Sequence, residues 1–332
     1  MAERGDPGER GAALLTVLLL VAVMAVVTAT VLERLTLATR LTGNAAALDQ
    51  ARAYAYASET LAAAKIGDLV QAQGDRTTLQ GDWNGRPFRL PIPGGIGSAT
   101  VTDGGNCFNL NSLVTGGGAD GTTNLTPKPL AVGQFQALMT LLGIDSAAAQ
   151  TIAASAVDWI DSDDAPQPNG AESDSYLQAR VPFRTANQLM ADPSELRVVR
   201  GMTPDIYAKL RPWICTLPVA EMSPINVNTL LPSQAPLFAM LLPGQLSVGQ
   251  ARELLARRPA SGYESTTAFW AVPALAGLSP NAEVGTQTVT KTRWFVVESE
   301  IELAGAAMRE TALYDAKQNP ARLVRRSWGD EG

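Results

Sequence analysis

The stretch Ala12–Leu32, AALLTVLLLVAVMAVVTATVL, decides how the rest of the chain is read. It holds no charged side chain, and threonine is its only polar type. At ~1.5 Å rise per residue, a helix over it reaches roughly 30 Å, the depth of a bilayer's hydrocarbon core. Gly11 stands directly before it, behind the charged leader MAERGDPGER. A secretory signal peptide has a shorter apolar core and a small-residue cleavage site with a break after it. Here helical sequence continues instead. From Glu33 to Ala72 there is no proline, and Leu41, Ala45, Leu48, Ala51, Ala55, Ser58, Ala62 and Ile66 recur at a 3-4 spacing. That spacing predicts one continuous helix over Ala12–Ala72, roughly 90 Å long. Its first third is apolar all round, and its remainder lays one face on a domain. The small-residue face Ala45–Ala64 is also read as the place where a partner helix packs closely.

The 332-residue chain carries 26 Lys+Arg against 32 Asp+Glu, a formal charge of −6. That balance argues against a nucleic-acid partner, whose phosphates reward basic surfaces. There is no histidine. A Ser-His-Asp triad, a histidine base and histidine metal ligands are therefore all excluded. With only two cysteines, a metal site would be built from oxygens, which favours hard cations such as calcium or magnesium. Cys107 and Cys215 are far apart and neither belongs to a CxxC. In a reducing compartment they read as buried thiols, and in an exported domain as a disulfide.

Downstream of the long helix, Arg86–Ile92 and Ser98–Thr102 are short strand candidates between Gly, Pro and Asp-Gly turns. Gly116–Thr126 reads as a linker. Helical patterns then dominate to about Leu278, with helices over Val132–Leu142, Ser146–Asp161 and Val248–Arg258. Asp192-Pro193 and Thr203-Pro204 each place a capping side chain before a proline at the first helical position. Ser247 and Gln250 form a capping box. Arg293–Leu303, Met308–Asp315 and Arg322–Trp328 return to strand character. Tail strands need partners, and the early strands are the available ones. The expected organisation is a leader over 1–11, a membrane segment over 12–32 and a helical stem over 33–72. The first part of a sheet follows over 73–115, a helical insertion over 116–285, and completing strands over 286–332.

The acidic run Asp161-Ser-Asp163-Asp164-Ala-Pro-Gln-Pro-Asn169-Gly170-Ala-Glu172-Ser-Asp174 follows directly on a helix. Counted from Asp161, its acids and amides fall at four EF-hand ligand positions, but Pro166 occupies the position where that loop needs glycine. It is therefore not an EF-hand. The run is either a solvated acidic loop or a cation site. Its first acids sit at a helix C-terminus, where negative charge is unfavourable. Phe183–Ile214 and Ile225–Arg258 each run helix, Gly-containing turn, capped helix, as helix-hairpin-helix modules do. A membrane-anchored, DNA-uptake-type binding protein is thus the alternative reading, opposed by the acids of this lobe. The Asp-x-Asp at Asp161–Asp163 is too short to support an enzyme, and Trp159, Trp213 and Tyr207 read as core residues.

Gly11 before an apolar helix, the short motifs CFNLNSL at Cys107–Leu113 and PINVNT at Pro224–Thr229, and VDWIDSDD at Val157–Asp164 together resemble the protein K family of type II secretion. The resemblance covers essentially the whole chain. It implies an α+β, pilin-like fold: a long N-terminal helix on a small antiparallel sheet, with a large helix-hairpin-helix-like domain inserted between strands. It implies a non-enzymatic minor pseudopilin, anchored in the inner membrane with its domain in the periplasm. Prepilin peptidase would cleave between Gly11 and Ala12. Pilin-like subunits carry glutamate at the fifth mature position, and this family lacks it; Thr16 stands there. A subunit with no neighbour above it needs no such carboxylate, which fits a place at the pseudopilus tip with minor pseudopilins I and J. The resemblance also implies structural calcium, with Asp161, Asp163, Asp164, Glu172 and Asp174 as ligands. Asn169 and carbonyls near Gln167 are secondary candidates, and Asp158 either orients a ligand or is a helix-surface acid. A periplasmic domain favours a Cys107–Cys215 disulfide.

Overall fold

The computed structural model describes residues 7–116, 124–278 and 280–329. Helix α1 runs over Pro7–Gln73 without interruption. Residues 12–46 are exposed on every side, and a regular buried row begins at Ala47. Ala47, Ala51, Ala55, Ser58, Ala62 and Ile66 form that row. Ala51 and Ala55 meet Ile301 and Leu303, while Ala62 and Ile66 meet Val101, Phe295, Val297 and Tyr314. Side chains this small let the helix axis sit close to the strands. The hydroxyls of Ser58 and Ser299 meet across the contact at 3.3 Å. This corrects the reading of Ala45–Ala64 as a partner-helix face. Ala55 has no exposed surface, because the alanines at 3-4 spacing are spent on the chain's own sheet. Leu41, Ala45 and Leu48, which continue the same spacing, lie beyond the sheet and are exposed.

The sheet has five antiparallel strands, β1 (Pro87–Leu90), β2 (Gly95–Asp103), β3 (Trp294–Leu303), β4 (Ala306–Asp315) and β5 (Arg322–Trp328), in that order. Early and late strands do pair: β2 lies against β3 from Gly95↔Leu303 to Asp103↔Phe295. Arg326 of β5 ties the last strand to α1 through an ion pair with Glu59, with its guanidinium over Tyr56 at 4.6 Å. The same arginine reaches the buried Glu310 of β4 at 3.2 Å.

Between Asp103 and Trp294 the chain leaves the sheet and builds a helical lobe with its own core around Phe108, Phe135, Ile152, Leu237 and Phe269. Its principal helices are α2 (Pro129–Leu141) and α3 (Ser146–Ile160). The capping signals operate as read: Thr203 accepts from Ile206 N, and Ser247 and Gln250 close a capping box. The stretch read as a linker is instead bounded by a short hairpin, Val114–Gly116 against Leu125–Pro127. Its central residues 117–123 lie outside the described residues. The lobe joins the sheet at the end of α1 remote from the apolar segment, where Thr77 N donates to Thr290 O at 2.8 Å.

The two asparagine-rich motifs are the fastenings of this lobe. Asn109 donates to Val219 O and Glu221 O and accepts from Leu217 N. Asn111 donates to Met190 O and Leu217 O, both at 2.9 Å, and accepts from Met190 N at 2.7 Å. Asn226 reaches Thr292 Oγ1 and Thr77 O, and Asn228 pairs with both backbone groups of Tyr263. A side-chain amide offers donors and an acceptor together, so one asparagine satisfies a buried backbone that has no strand partner. Cys107 and Cys215 form a disulfide with Cα atoms 5.8 Å apart, beside the parallel pairing of Phe108 with Ile214. Asn111→Leu should leave three buried backbone groups unpaired and cost about 3 kcal/mol, read as a lower denaturation midpoint by tryptophan fluorescence. An unchanged midpoint would contradict this account.

Candidate metal centre

Asp145 caps α3 by accepting from Ala147 N and Ala148 N. The helix then buries Ile152, Ala153, Ala156, Val157 and Ile160 in the lobe. Asp158 and Asp161 are three apart, so they share a helical face, and here that face points inward. Both are fully buried. After α3 the chain makes a loop and returns, and Gly170 lets it pass the helix. A Cβ at Gly170 would lie 1.9 Å from Asp158 Oδ2. The return brings in Glu172, buried at the start of the short helix α4 (Ser173–Tyr176).

One carboxylate oxygen each from Asp158, Asp161 and Glu172 lie within 4.8 Å of one another. Some of their other oxygens are engaged. Asp158 Oδ1 accepts from Gln167 N at 2.9 Å, and Glu172 Oε2 accepts from Ser173 N and Thr185 Oγ1, both at 3.2 Å. Asp158 Oδ2, both oxygens of Asp161 and Glu172 Oε1 are buried without any hydrogen-bond partner. The rings of Trp159, Tyr176 and Phe183, on the same segments, pack against one another, with Tyr176 and Phe183 stacked at 5.0 Å.

Burial pushes Asp161 up to about 7, with further upward pressure from Asp163, Asp158 and Glu172. Burial likewise pushes Asp158 up to about 6. Glu172 is raised as well, again chiefly by burial. Orphaned, mutually repelling carboxylates in the interior are costly as anions. An oxygen-binding divalent cation would satisfy them, so the residues present fit calcium.

The structure therefore brings together two of the five acids read as ligands, Asp161 and Glu172. It adds Asp158, which the sequence reads either as orienting a ligand or as a helix-surface acid. Asp163, Asp164 and Asp174 are exposed and lie outside the trio. Asp163 Oδ1 instead accepts from Ala165 N. Asn169 is exposed with φ +69°, as the turn before Gly170 requires. The signal for Asp158 was present in its spacing to Asp161. It became legible only once the inward face of α3 was known.

At the other end of the molecule, Gly11 and Ala12 lie within α1, and leader residues 1–6 lie outside the described residues. Thr16 is exposed, and its hydroxyl donates to Ala13 O at 2.8 Å, which lets a polar side chain sit in an apolar helix. Thr28 and Thr30 do the same. The helix is long and apolar enough to cross a membrane. In the second helix-hairpin-helix-like unit, Arg258 donates to Val227 O and Leu230 O and is committed to its own fold, not to a phosphate.

Family models described as "Type II secretion system (T2SS), protein K" match residues 106–219 and 225–291. Type II secretion system protein K of Pectobacterium carotovorum subsp. carotovorum is 35% identical over 97% of both chains. That of Klebsiella pneumoniae is 34% identical over the same shares. This chain belongs to the type II secretion system protein K family. A chain in the crystal structure of the GspK-GspI-GspJ complex from the enterotoxigenic Escherichia coli type 2 secretion system superposes with a TM-score of 0.76. It is 31% identical, covering 87% of this protein and 99% of that chain. The protein K fold of long helix, small sheet and helical lobe is thus shared, and the function is that of a minor pseudopilin in protein secretion. Nothing in these relatives supports the DNA-uptake alternative.

Because the trio's carboxyls titrate above their ordinary range, the native state holds more protons than the unfolded chain from about pH 4 to pH 7. The trio's contribution to stability therefore falls as pH rises through that window. In chelator, the melting temperature should drop between pH 4.5 and 7.5, and calcium at pH 7.5 should raise it again. Thermal melts by circular dichroism test this; a pH-independent melt with no calcium response would refute it.

Proposed function

We propose that the chain caps the pseudopilus tip together with minor pseudopilins I and J, held in the inner membrane by Leu14–Val31 with its domain in the periplasm. The observation that carries this reading is the position of the helical lobe. It sits at the end of α1 remote from the apolar segment, attached through Thr77, Asn226 and Thr292. A subunit stacked above would have to occupy the volume that the lobe fills. The solved relative was crystallised in a complex named for K, I and J, which supports those partners here. Prepilin peptidase would cut between Gly11 and Ala12 and leave Thr16 at the fifth mature position. With no carboxylate there, no neighbour's amine is matched in the hydrocarbon, and a tip subunit has no such neighbour above it.

We read the role as structural, not enzymatic. Calcium, held by Asp158, Asp161 and Glu172, would neutralise their charge and fix the loop between Asp161 and Glu172 against α3. The exposed Asp163, Asp164 and Asp174 would bias the local potential toward cations. Intact-mass measurement of the protein extracted from membranes, without reduction, should give a chain that begins at Ala12 and co-purifies with pseudopilins I and J. A chain retaining its leader, or one that leaves both partners behind, would overturn the reading.

A further inference from the structure

One more buried amide oxygen has no partner, Asn187 Oδ1, on a segment hydrogen-bonded to those that carry the trio. Buried amide oxygens ordinarily accept a hydrogen bond, so an orphan calls for a reason. Three bonds fasten the Asn187 segment to the ligand-bearing segments. Its own N–H donates to Trp159 O at 3.0 Å, one residue from Asp158 and two from Asp161. Two residues earlier, the Thr185 hydroxyl donates to Glu172 Oε2 at 3.2 Å, and Thr185 N donates to Ser173 Oγ at 3.2 Å. Asn187 also holds φ +46°, a left-handed conformation that glycine adopts at less cost.

We propose that Asn187 Oδ1 is a fourth, neutral ligand to the cation held by Asp158, Asp161 and Glu172, and that the ion thereby closes the Thr185–Asn187 arm over the site. The inference rests on the calcium reading above. Asp158 Oδ2, Asp161 Oδ1 and Oδ2, Glu172 Oε1 and Asn187 Oδ1 make five buried carboxylate and amide oxygens without partners. Calcium takes roughly 6–8 oxygens, commonly mixing carboxylates with amide and backbone carbonyls. A neutral fourth ligand raises the coordination number without adding to the repulsion among the three carboxylates. No spacing in the sequence joins Asn187 to the acidic run, since it lies well beyond Asp174.

The test is calorimetric titration of calcium chloride into the chelator-stripped full chain in detergent. Wild type is compared with Asn187→Gly, which removes the oxygen and suits the left-handed backbone, and with Asn187→Asp, which keeps an oxygen in place. Asn187→Gly should weaken calcium binding by at least about tenfold, the loss that even an outer-sphere partner carries. Its melting temperature in chelator should match wild type, and Asn187→Asp should bind at least as tightly as wild type. Wild-type affinity in Asn187→Gly would overturn the proposal while leaving the calcium site standing. So would a failure of Asn187→Asp to restore binding, or an equal loss of stability with and without calcium. No calcium uptake by wild type would instead remove the calcium reading itself, visible before any variant is compared.

Discussion

The packing of α1 on the sheet through Ala51, Ala55, Ser58 and Ala62 is the contact on which the rest of the molecule depends. It fixes how far along the helix the sheet sits, and so how much helix is left free below it. It also fixes where the lobe stands. β2 and β3 run along α1, and the lobe emerges where both reach the end far from the apolar segment. Moving the row of small residues by one helical turn would shift the sheet by about 5.4 Å along the stem and carry the lobe with it. The use of alanine is part of the same constraint, because larger side chains would lift the helix off the strands and open the core around Phe295 and Tyr314.

The lobe is fastened to this frame by a small shared apolar cluster of Leu217, Trp294 and Leu313 and by a network of polar groups. Asp103, at the end of β2, accepts from the hydroxyls of Thr229 and Thr292 and from Gly105 N. Asn106 and Asn226 extend the same network. Such a network is unforgiving, since each buried member left unpaired costs more than the bond it made. It is also directional, which an apolar interface is not. A lobe carried at the far end of a long helix is held in one orientation by bonds with fixed geometry.

Much of this was legible in the sequence, and the failures have physical causes. Proline-free length and the 3-4 spacing gave the stem, and turn chemistry gave the strands of the sheet. Periodicity marks a buried face but is silent on what buries it. Ala55 fits a partner helix as well as a sheet, and only the tertiary structure separates them. The acidic loop shows the same limit. Asp161, Asp163 and Asp164 look equivalent in a row of acids, yet the helix ends at Ile160 and only Asp161 still points inward. Asp158 was hidden because a helical acid reads as surface until the last turns of α3 are known to be buried on every side. Glu172 depends on a return of the chain that Gly170 permits, and glycine's part there is a close approach to Asp158 that no spacing rule encodes.

In the proposed cation site the two sets of acids would divide the labour in a way that composition alone conceals. Asp158, Asp161 and Glu172 are shielded from water, so their charge is felt strongly and must be answered locally. Asp163 and Asp164 stay hydrated, at little cost to themselves, yet they act on the buried group. Asp163 raises Asp161 and Asp158, and Asp164 raises Glu172. Without an ion, that field makes the buried carboxylates harder to ionise. With an ion, the same field would be attractive and would add to the pull of the three buried carboxylates. On the proposed calcium reading, the exposed acids would sharpen the contrast between the empty and the filled site without serving as ligands, and the loop of hydrated carboxylates would form the outer part of the site.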